Sequence, residues 1–478
     1  MDGIEDKAFL HYQKVRRLHW DMVACNFDRG RGLGGNYHKR LDQIYRNTIA
    51  PGQRILEIGC GSGGLLAATK PGFGVGVDFS FEMVRRAQEK YPDLFFIQAD
   101  AHRLCLNIQF DIVILSDLLN DVWDVQTVFR EIQKVITPRT RIVINSYSRL
   151  WEIPLAVAQW LKIAKPIKPQ NWLTVEDIDN LLFLEDFEVI NQWQEIILPL
   201  PIPILSKIFN CFLVKLWPFK FLALTNIVIA FPRSQALISE PSVSVVIPAR
   251  NEAGNILELF ERTPEMGQYT ELIFVEGHSS DNTYDVIKSI MTDHPERRCQ
   301  LFRQEGEGKG DAVRMGFANA GGDILMILDA DLTVPPEALP RFYIALREGK
   351  GSFINGVRLM YPMEDQAMRF VNLIGNKFFG VAFSWILGQP IKDTLCGTKA
   401  LWKRDYELIS NNRDYFGDFD PFGDFDLLFG AAKQNMKIVD VPIRYRSRTY
   451  GGTNIDRWRH GWMLVRMVIF AARRLKFI

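Results

Sequence analysis

The chain reads as two α/β domains laid end to end. Two observations lead there. A short apolar strand, a glycine-rich turn and a helix follow one another near Arg54, and the same order recurs near Val243. Between the halves, the stretch from Phe231 to Pro241 is bounded by prolines and has no hydrophobic periodicity, so it reads as a linker. The expected boundaries are a first domain over 1–232, a linker over 233–241 and a second domain over 242–478, both of ordinary domain size.

Composition sets the class. With 47% apolar and 24% charged residues, the chain suits a soluble globular protein. A formal net charge of +1 argues against a general nucleic-acid binder. The six cysteines are scattered without a CxxC pair, which favours neither a zinc site nor a disulfide framework and suits a reducing compartment. The start, MDGIEDKAFL, is acidic and has no apolar core after it, so no signal peptide is expected. The longest apolar stretch, 370–388, is interrupted by Asn372, Asn376 and Lys377 and reads as a buried or interfacial helix. The expected location is cytoplasmic, with a peripheral contact on the inner face of a membrane.

In the first half, strands are expected at 54–58, 74–77, 94–98, 110–115 and 141–146, mostly separated by helices. That alternation signals a parallel sheet covered on both faces. Segments 187–198 and 221–230 supply a closing hairpin. Residues 151–218 are rich in proline and aromatics and read as insertions that cap the site or meet a greasy partner.

Leu56-Glu-Ile-Gly-Cys-Gly-Ser-Gly-Gly64 follows a strand and opens a helix. Its glycines let the backbone turn tightly and approach a ligand, and the helix N-terminus offers unpaired N–H groups. Gly59, Gly61 and Gly64 also satisfy GxGxxG, so a nicotinamide cofactor is an alternative. Glu57 before the first glycine, Asp78 closing the second strand and Asp100 after the third favour another ligand. On these residues the first half resembles the class I S-adenosylmethionine (SAM)-dependent methyltransferases, with a Rossmann-like fold. The resemblance implies SAM contacts at Glu57, Gly59, Gly61, Gly63, Asp78 and Asp100, with Ser116 and Asp117 following strand four. The segment 116–121 is not of the N/D-P-P-Y/F type. If a base serves the methyl acceptor, the imidazoles in the matched region are His38 and His102.

In the second half, Val243-Ser-Val-Val-Ile-Pro-Ala-Arg-Asn-Glu252 is a buried strand running into a polar turn. A second strand ends at Glu276, and a third ends in Asp329-Ala-Asp331. Residues i and i+2 of an extended segment point the same way, so both carboxylates are expected to meet one hard cation. This half resembles the family 2 glycosyltransferases of GT-A fold. The resemblance implies a nucleotide-diphosphate sugar held by Pro248, Asn251, Glu252, Glu276, Asp281, Lys309 and Asp329, with Mg²⁺ or Mn²⁺ at Asp329 and Asp331. Glu276 stands where the family usually has aspartate.

Within that family, the segments 329–337, 355–358, 393–399 and 441–448 look most like polyprenyl-phosphate sugar transferases. Arg358, Arg444, Arg446 and Arg448 are the expected acceptor-phosphate ligands, the last three sharing one face of a strand-like segment. A lipid phosphate is already nucleophilic, whereas a glycan hydroxyl needs a base, for which Asp424 and Asp426 are the candidates. The reading is a bifunctional enzyme: methyl transfer from SAM, and inverting sugar transfer to a polyprenyl phosphate. The alternative is transfer to a glycan hydroxyl, with the first half a SAM-binding scaffold. The tail from Arg457 carries six basic residues and no acid, with Trp458, Trp462, Val465, Ile469 and Ala472 on one helical face. It suits either an interfacial membrane helix or packing on the protein itself.

Overall fold

The computed structural model describes residues 2–25, 34–160, 168, 170–200, 202–233, 240–358, 370–412, 424–446, 448, 450 and 457–477. The chain divides into two compact units, one ending at Arg233 and the other running from Ser234 to Lys476. Most of the expected linker lies outside the described residues.

The first unit is built on seven strands: β1 (Arg54–Ile58), β2 (Phe73–Asp78), β3 (Phe95–Gln98), β4 (Phe110–Ser116), β5 (Ile136–Tyr147), β6 (Phe187–Glu195) and β7 (Thr225–Pro232). Their order across the sheet is β3-β2-β1-β4-β5-β7-β6. The first five are parallel, and β7 enters antiparallel between β5 and β6. Strands β1 and β4 are apolar almost throughout because helices cover both faces. Chain reversal between β1 and β4 in the sheet order puts a crevice at the carboxyl ends of β1, β2 and β4, where open α/β sheets bind ligands. The expected hairpin is β6–β7. Phe221 and Leu222 fall outside it, in a short 3₁₀ turn.

The second unit also has seven strands: β8 (Val243–Ala249), β9 (Thr270–Glu276), β10 (Cys299–Arg303), β11 (Ile324–Ile327), β12 (Phe353–Val357), β13 (Lys399–Trp402) and β14 (Ile438–Pro442), ordered β10-β9-β8-β11-β13-β12-β14. Strands β10, β9, β8 and β11 are parallel, and β13 runs antiparallel to both neighbours. Both units have the expected α/β folds, Rossmann-like and GT-A.

Of the two readings open for each of two helices, packing on the protein is the one seen. Helix Arg457–Ala471 buries Leu464, Met467 and Ala471 in the core of the second unit. The apolar face expected from the sequence lies partly outward, with Trp462 and Ile469 exposed and Val465 and Ala472 packed at the core margin. Helix Phe370–Leu387 buries Phe379, Phe383, Ile386 and Leu387 in the same core. No helix among the described residues is long and apolar enough to cross a membrane.

Candidate functional sites

In the first unit the glycine-rich turn links β1 to helix Gly64–Ala68. Gly59, Gly61 and Gly63 all have positive φ. At Gly63 a Cβ would strike the Phe96 ring at 2.6 Å, whereas at Gly61 it would meet nothing within 4 Å. Gly63 is thus needed for packing, and Gly61 faces open space. Asp78 closes β2 and turns back to the loop: Gly61 N–H donates to Oδ2 at 2.9 Å and Ser80 N–H to Oδ1 at 2.9 Å. Burial outweighs these donors and lifts its carboxyl to about 6. Glu57 is buried, burial pushes its carboxyl well up, and its Oε2 has no hydrogen-bond partner. An open cradle over glycines, an orphaned buried oxygen and a carboxylate at the β2 terminus fit a nucleoside-bearing ligand such as SAM.

Asp100 follows β3. Burial would raise it, but the His102 ring and backbone N–H hold it below the usual carboxylate range. This bears on the expected base. The His102 ring bonds Asp100 through Nδ1 at 2.7 Å, and its Nε2 accepts the Asp124 N–H at 3.1 Å. Both nitrogens are therefore committed to shaping the loop. His38 is exposed, beside the Tyr37 ring.

A carboxylate at the end of β4 is set in a network of its own. Asp117, directly after β4, has a left-handed backbone and is partly exposed. It accepts from Tyr37 Oη at 2.9 Å and from Asn145 Nδ2 at 2.6 Å, and Tyr147 also hydrogen-bonds to it. Burial, opposed by these donors, raises its carboxyl to about 7. Burial and the Asp117 charge push both tyrosine hydroxyls well up, so they remain donors. Next in sequence, Leu118 lies under Gly59, at 2.8 Å from where a Cβ would be, which ties this cluster to the glycine loop. No sequence spacing reveals it, because Tyr37 comes from helix Gly34–Thr48 and Asn145 and Tyr147 from β5.

Helix Asp2–Cys25 was also missed. Gln13 donates to Asp100, Asp21 accepts from Ser80 Oγ at 2.5 Å, and Trp20 Nε1 donates to Asp121 at 2.7 Å. Arg16 pairs with the same Asp121. One helix therefore crosses the loops after β2, β3 and β4.

In the second unit the site forms at the carboxyl ends of β8, β9 and β11. Pro248 lies within β8, and Asn251, with positive φ, accepts the Ser280 N–H at 2.7 Å. Glu276 accepts the Ser279 N–H at 2.5 Å. Asp281 accepts the Thr283 N–H at 3.1 Å and the Ala253 N–H at 3.4 Å. Asn251 and Asp281 thereby lace the β8 and β9 loops together.

Asp329 and Asp331 turn to two different cations, rather than sharing one. Lys309 Nζ lies 2.6 Å from Asp329 Oδ1, and Arg448 reaches Asp331 Oδ2 at 2.8 Å. Burial would raise Asp329, but Lys309, Lys399 and Arg358 hold it low. Thr333 donates its hydroxyl to Asp331 at 2.6 Å. Among the described residues no group of three His, Cys, Asp or Glu gathers as a metal site. Two carboxylates and a hydroxyl suit a hard cation. A divalent ion bound there would compete with Lys309 and Arg448 for these oxygens.

The expected phosphate ligands separate. Arg358 is buried and forks onto Asp393, Nε at 2.7 Å and Nη2 at 2.9 Å. A desolvated guanidinium needs such a partner, so Arg358 is structural and its fork is not aimed at an acceptor. Strand β14 ends at Pro442, so Arg444, Arg446 and Arg448 do not share a strand face. Arg444 and Arg446 are exposed, while Arg448 turns to Asp331 and Glu252, the latter at 3.5 Å. Arg446 N–H donates to Thr333 O at 2.9 Å, which lays this basic segment on the loop after Asp331. Asp426 lies in the first turn of helix Asp424–Lys433, partly exposed. The Asp424 side chain is outside the described residues, as is that of Trp458.

Residues 244–411 match glycosyl transferase family 2, and residues 49–196 match a methyltransferase domain family. A dolichol-phosphate mannosyltransferase of Pyrococcus furiosus is 28% identical over 249 residues, covering 49% of this chain and 67% of the relative. Glycosyltransferase AglJ of Haloferax volcanii is 27% identical over 225 residues, covering 47% of this chain and 69% of the relative. An undecaprenyl-phosphate 4-deoxy-4-formamido-L-arabinose transferase of Shewanella sediminis is 32% identical over 114 residues, covering 23% of this chain but only 34% of the relative.

Proposed function

Because the chain carries a methyltransferase domain and a family 2 glycosyltransferase domain, we propose that it is bifunctional. The first unit transfers a methyl group from SAM. The second transfers a sugar from a nucleotide diphosphate, with inversion, to a polyprenyl phosphate.

One observation carries the acceptor assignment: the basic segment 444–448 lies on the loop after Asp331, through the Arg446–Thr333 backbone bond and the Arg448–Asp331 pair. It brings exposed Arg446 to the loop that follows Asp331. An acceptor phosphate is an oxyanion and requires orientation by such groups, without a base. The names of the relatives, a dolichol-phosphate and an undecaprenyl-phosphate transferase, point the same way. A divalent cation held by Asp329 and Asp331 would neutralise the diphosphate leaving group. Lys309, at the start of helix Lys309–Asn319, supplies a fixed positive charge on the same side.

In the first unit, Gly59, Gly61 and Gly63 shape the cradle and Asp78 accepts hydrogen bonds from a ribose. Asp117, with its carboxyl near neutrality, accepts a proton from the methyl acceptor while Tyr37 and Asn145 orient it.

The test incubates the full chain with labelled nucleotide sugars and Mn²⁺ or Mg²⁺, with and without undecaprenyl phosphate, beside an Asp331→Asn control. Metal-dependent formation of a lipid-linked sugar, lost in the control, supports the reading. Turnover that needs an oligosaccharide and ignores the lipid overturns it. Methyl-labelled SAM with cell lipid extract tests the other half.

A further inference from the structure

The first unit carries an ordered segment whose polarity is inside out. Between β6 and β7 the chain runs through short helical turns, Pro203–Lys207, Ile208–Phe212, Leu213–Lys215 and Phe219–Leu222. Three of its polar side chains, Ser206, Asn210 and Lys215, point inward. Asn210 is buried, donating to Leu198 O at 2.7 Å and accepting the Leu198 N–H at 2.8 Å. Lys215 is buried in a pair with Glu195, which Arg40 approaches from the other side at 3.4 Å. Ser206 is buried too.

Several apolar side chains point outward: Ile204 is 78% exposed and Trp217 76%, and Ile208, Phe221 and Leu222 join them, whereas Val214 is buried. A second piece adjoins this face. Trp151 Nε1 donates to Leu222 O at 3.0 Å, and the helix that follows, Glu152–Trp160, exposes Ile153 and Trp160, the latter 80%. Hydrophobic burial normally drives such residues inward. Here a buried polar clamp holds the backbone so that they face out, and large apolar side chains exposed together along one segment mark an interaction surface.

We propose that this face docks on an anionic lipid bilayer. Charge selects the occupant. Residues 196–222 contain no acid, and of their three lysines one, Lys215, is spent on Glu195 while Lys207 is exposed among the apolar residues with Lys220 half-buried beside them. Tryptophans and lysines around an apolar centre match the interfacial region of a bilayer. A contact between copies would bury these lysines against a segment that carries no acid to pair with them, which disfavours that occupant. The platform is also tied to the methyl-acceptor cluster. In helix Gly34–Thr48, Asn36 donates to Leu200 O at 3.0 Å and Arg40 to Asn210 O at 3.1 Å, while the intervening Tyr37 reaches Asp117. Docking therefore sets the cluster close to the lipid surface.

Flotation of the full chain with vesicles of phosphatidylcholine containing 0 or about a third phosphatidylglycerol tests this, since basic interfacial segments bind anionic lipid preferentially. Three proteins are compared: the parent, Ile204→Asp/Trp217→Asp, and Lys207→Glu/Lys220→Glu. Thermal unfolding confirms that the variants fold. The expected result is parent binding that rises with the anionic fraction and falls at least tenfold in each variant. Absence of parent binding overturns the proposal. So does parent binding that both variants retain, which would move the contact elsewhere. A concentration-dependent parent dimer that the Asp variant abolishes, without lipid binding, overturns it in favour of a contact between copies.

Discussion

Substituting Asp117→Asn separates the charge of this group from its shape. Its carboxyl lies at about 7 against an ordinary 3.8. Because folding raises this value, the native state holds the proton more tightly than the unfolded chain. The contribution is therefore fully favourable below about pH 4 and is lost as pH rises through about 7. At roughly 1.4 kcal/mol per pK unit, the charged form costs about 4 kcal/mol at pH 8 and under about 1 kcal/mol at pH 4. Asparagine keeps the size, and Tyr37 and Tyr147 can turn their hydroxyls to accept from its amide. Calorimetry of the full chain would identify the first unit's transition as the one that SAM raises. The variant should unfold later than the parent at pH 8 and nearly together with it at pH 4. Methyl transfer should fall by about 10²–10⁴, the range for losing a general base, and lose its inflection near pH 7. Parallel stability curves at both pH values would refute the buried-charge account. Undiminished methyl transfer would refute the base.

Four further outcomes follow from the geometry. Gly61→Ala should weaken SAM binding at least tenfold in calorimetric titration and cost about 1–2 kcal/mol, from its left-handed φ alone, since its Cβ enters open space; Gly63→Ala should destabilise the unit further, because Phe96 must also move. SAM affinity should rise between pH 5 and 7 as Asp78, lifted to about 6, ionises, and Asp78→Asn should flatten that dependence. Arg358→Met leaves Asp393 buried and unpaired and should cost the second unit about 3–5 kcal/mol in denaturant unfolding, far more than loss of an exposed phosphate ligand would. Arg446→Ala, at an exposed position, should leave thermal stability within about 0.5 kcal/mol while raising the KM for polyprenyl phosphate several-fold.

Much of the fold was legible because apolar runs end where glycines and acids begin. Strands β1 to β4 lie within a residue or so of the positions expected from alternation alone. The miss at β5 is instructive. It begins at Ile136, not near Arg141, because Ile136 pairs with Phe110 ahead of an irregularity in the ladder. Residues 136–140 look like a turn in sequence and become strand through that tertiary pairing. The segment 203–222 shows the opposite limit. Its composition announced a greasy surface, but which residues face out depends on Asn210 and Lys215 being drawn inward by Leu198 and Glu195.

At the sites, sequence disclosed the acids but not their partners. Carboxylates cluster where strands end, and a strand end can be read from one short stretch. Counter-ions come from wherever the topology folds back. Lys309 lies 20 residues before Asp329, and Arg448 lies 117 after Asp331. Tyr37 lies 80 before Asp117. The same distance explains the wrong assignments. An imidazole near a binding loop looks like a base until both nitrogens of His102 are seen to be bonded. Arg358 looks like a phosphate ligand until its fork is found on Asp393. In both cases a residue able to do chemistry is instead needed to hold a buried charge or shape a loop. The groups we propose for the chemistry, Asp117 in one unit and Arg446 in the other, are ones that keep some exposure.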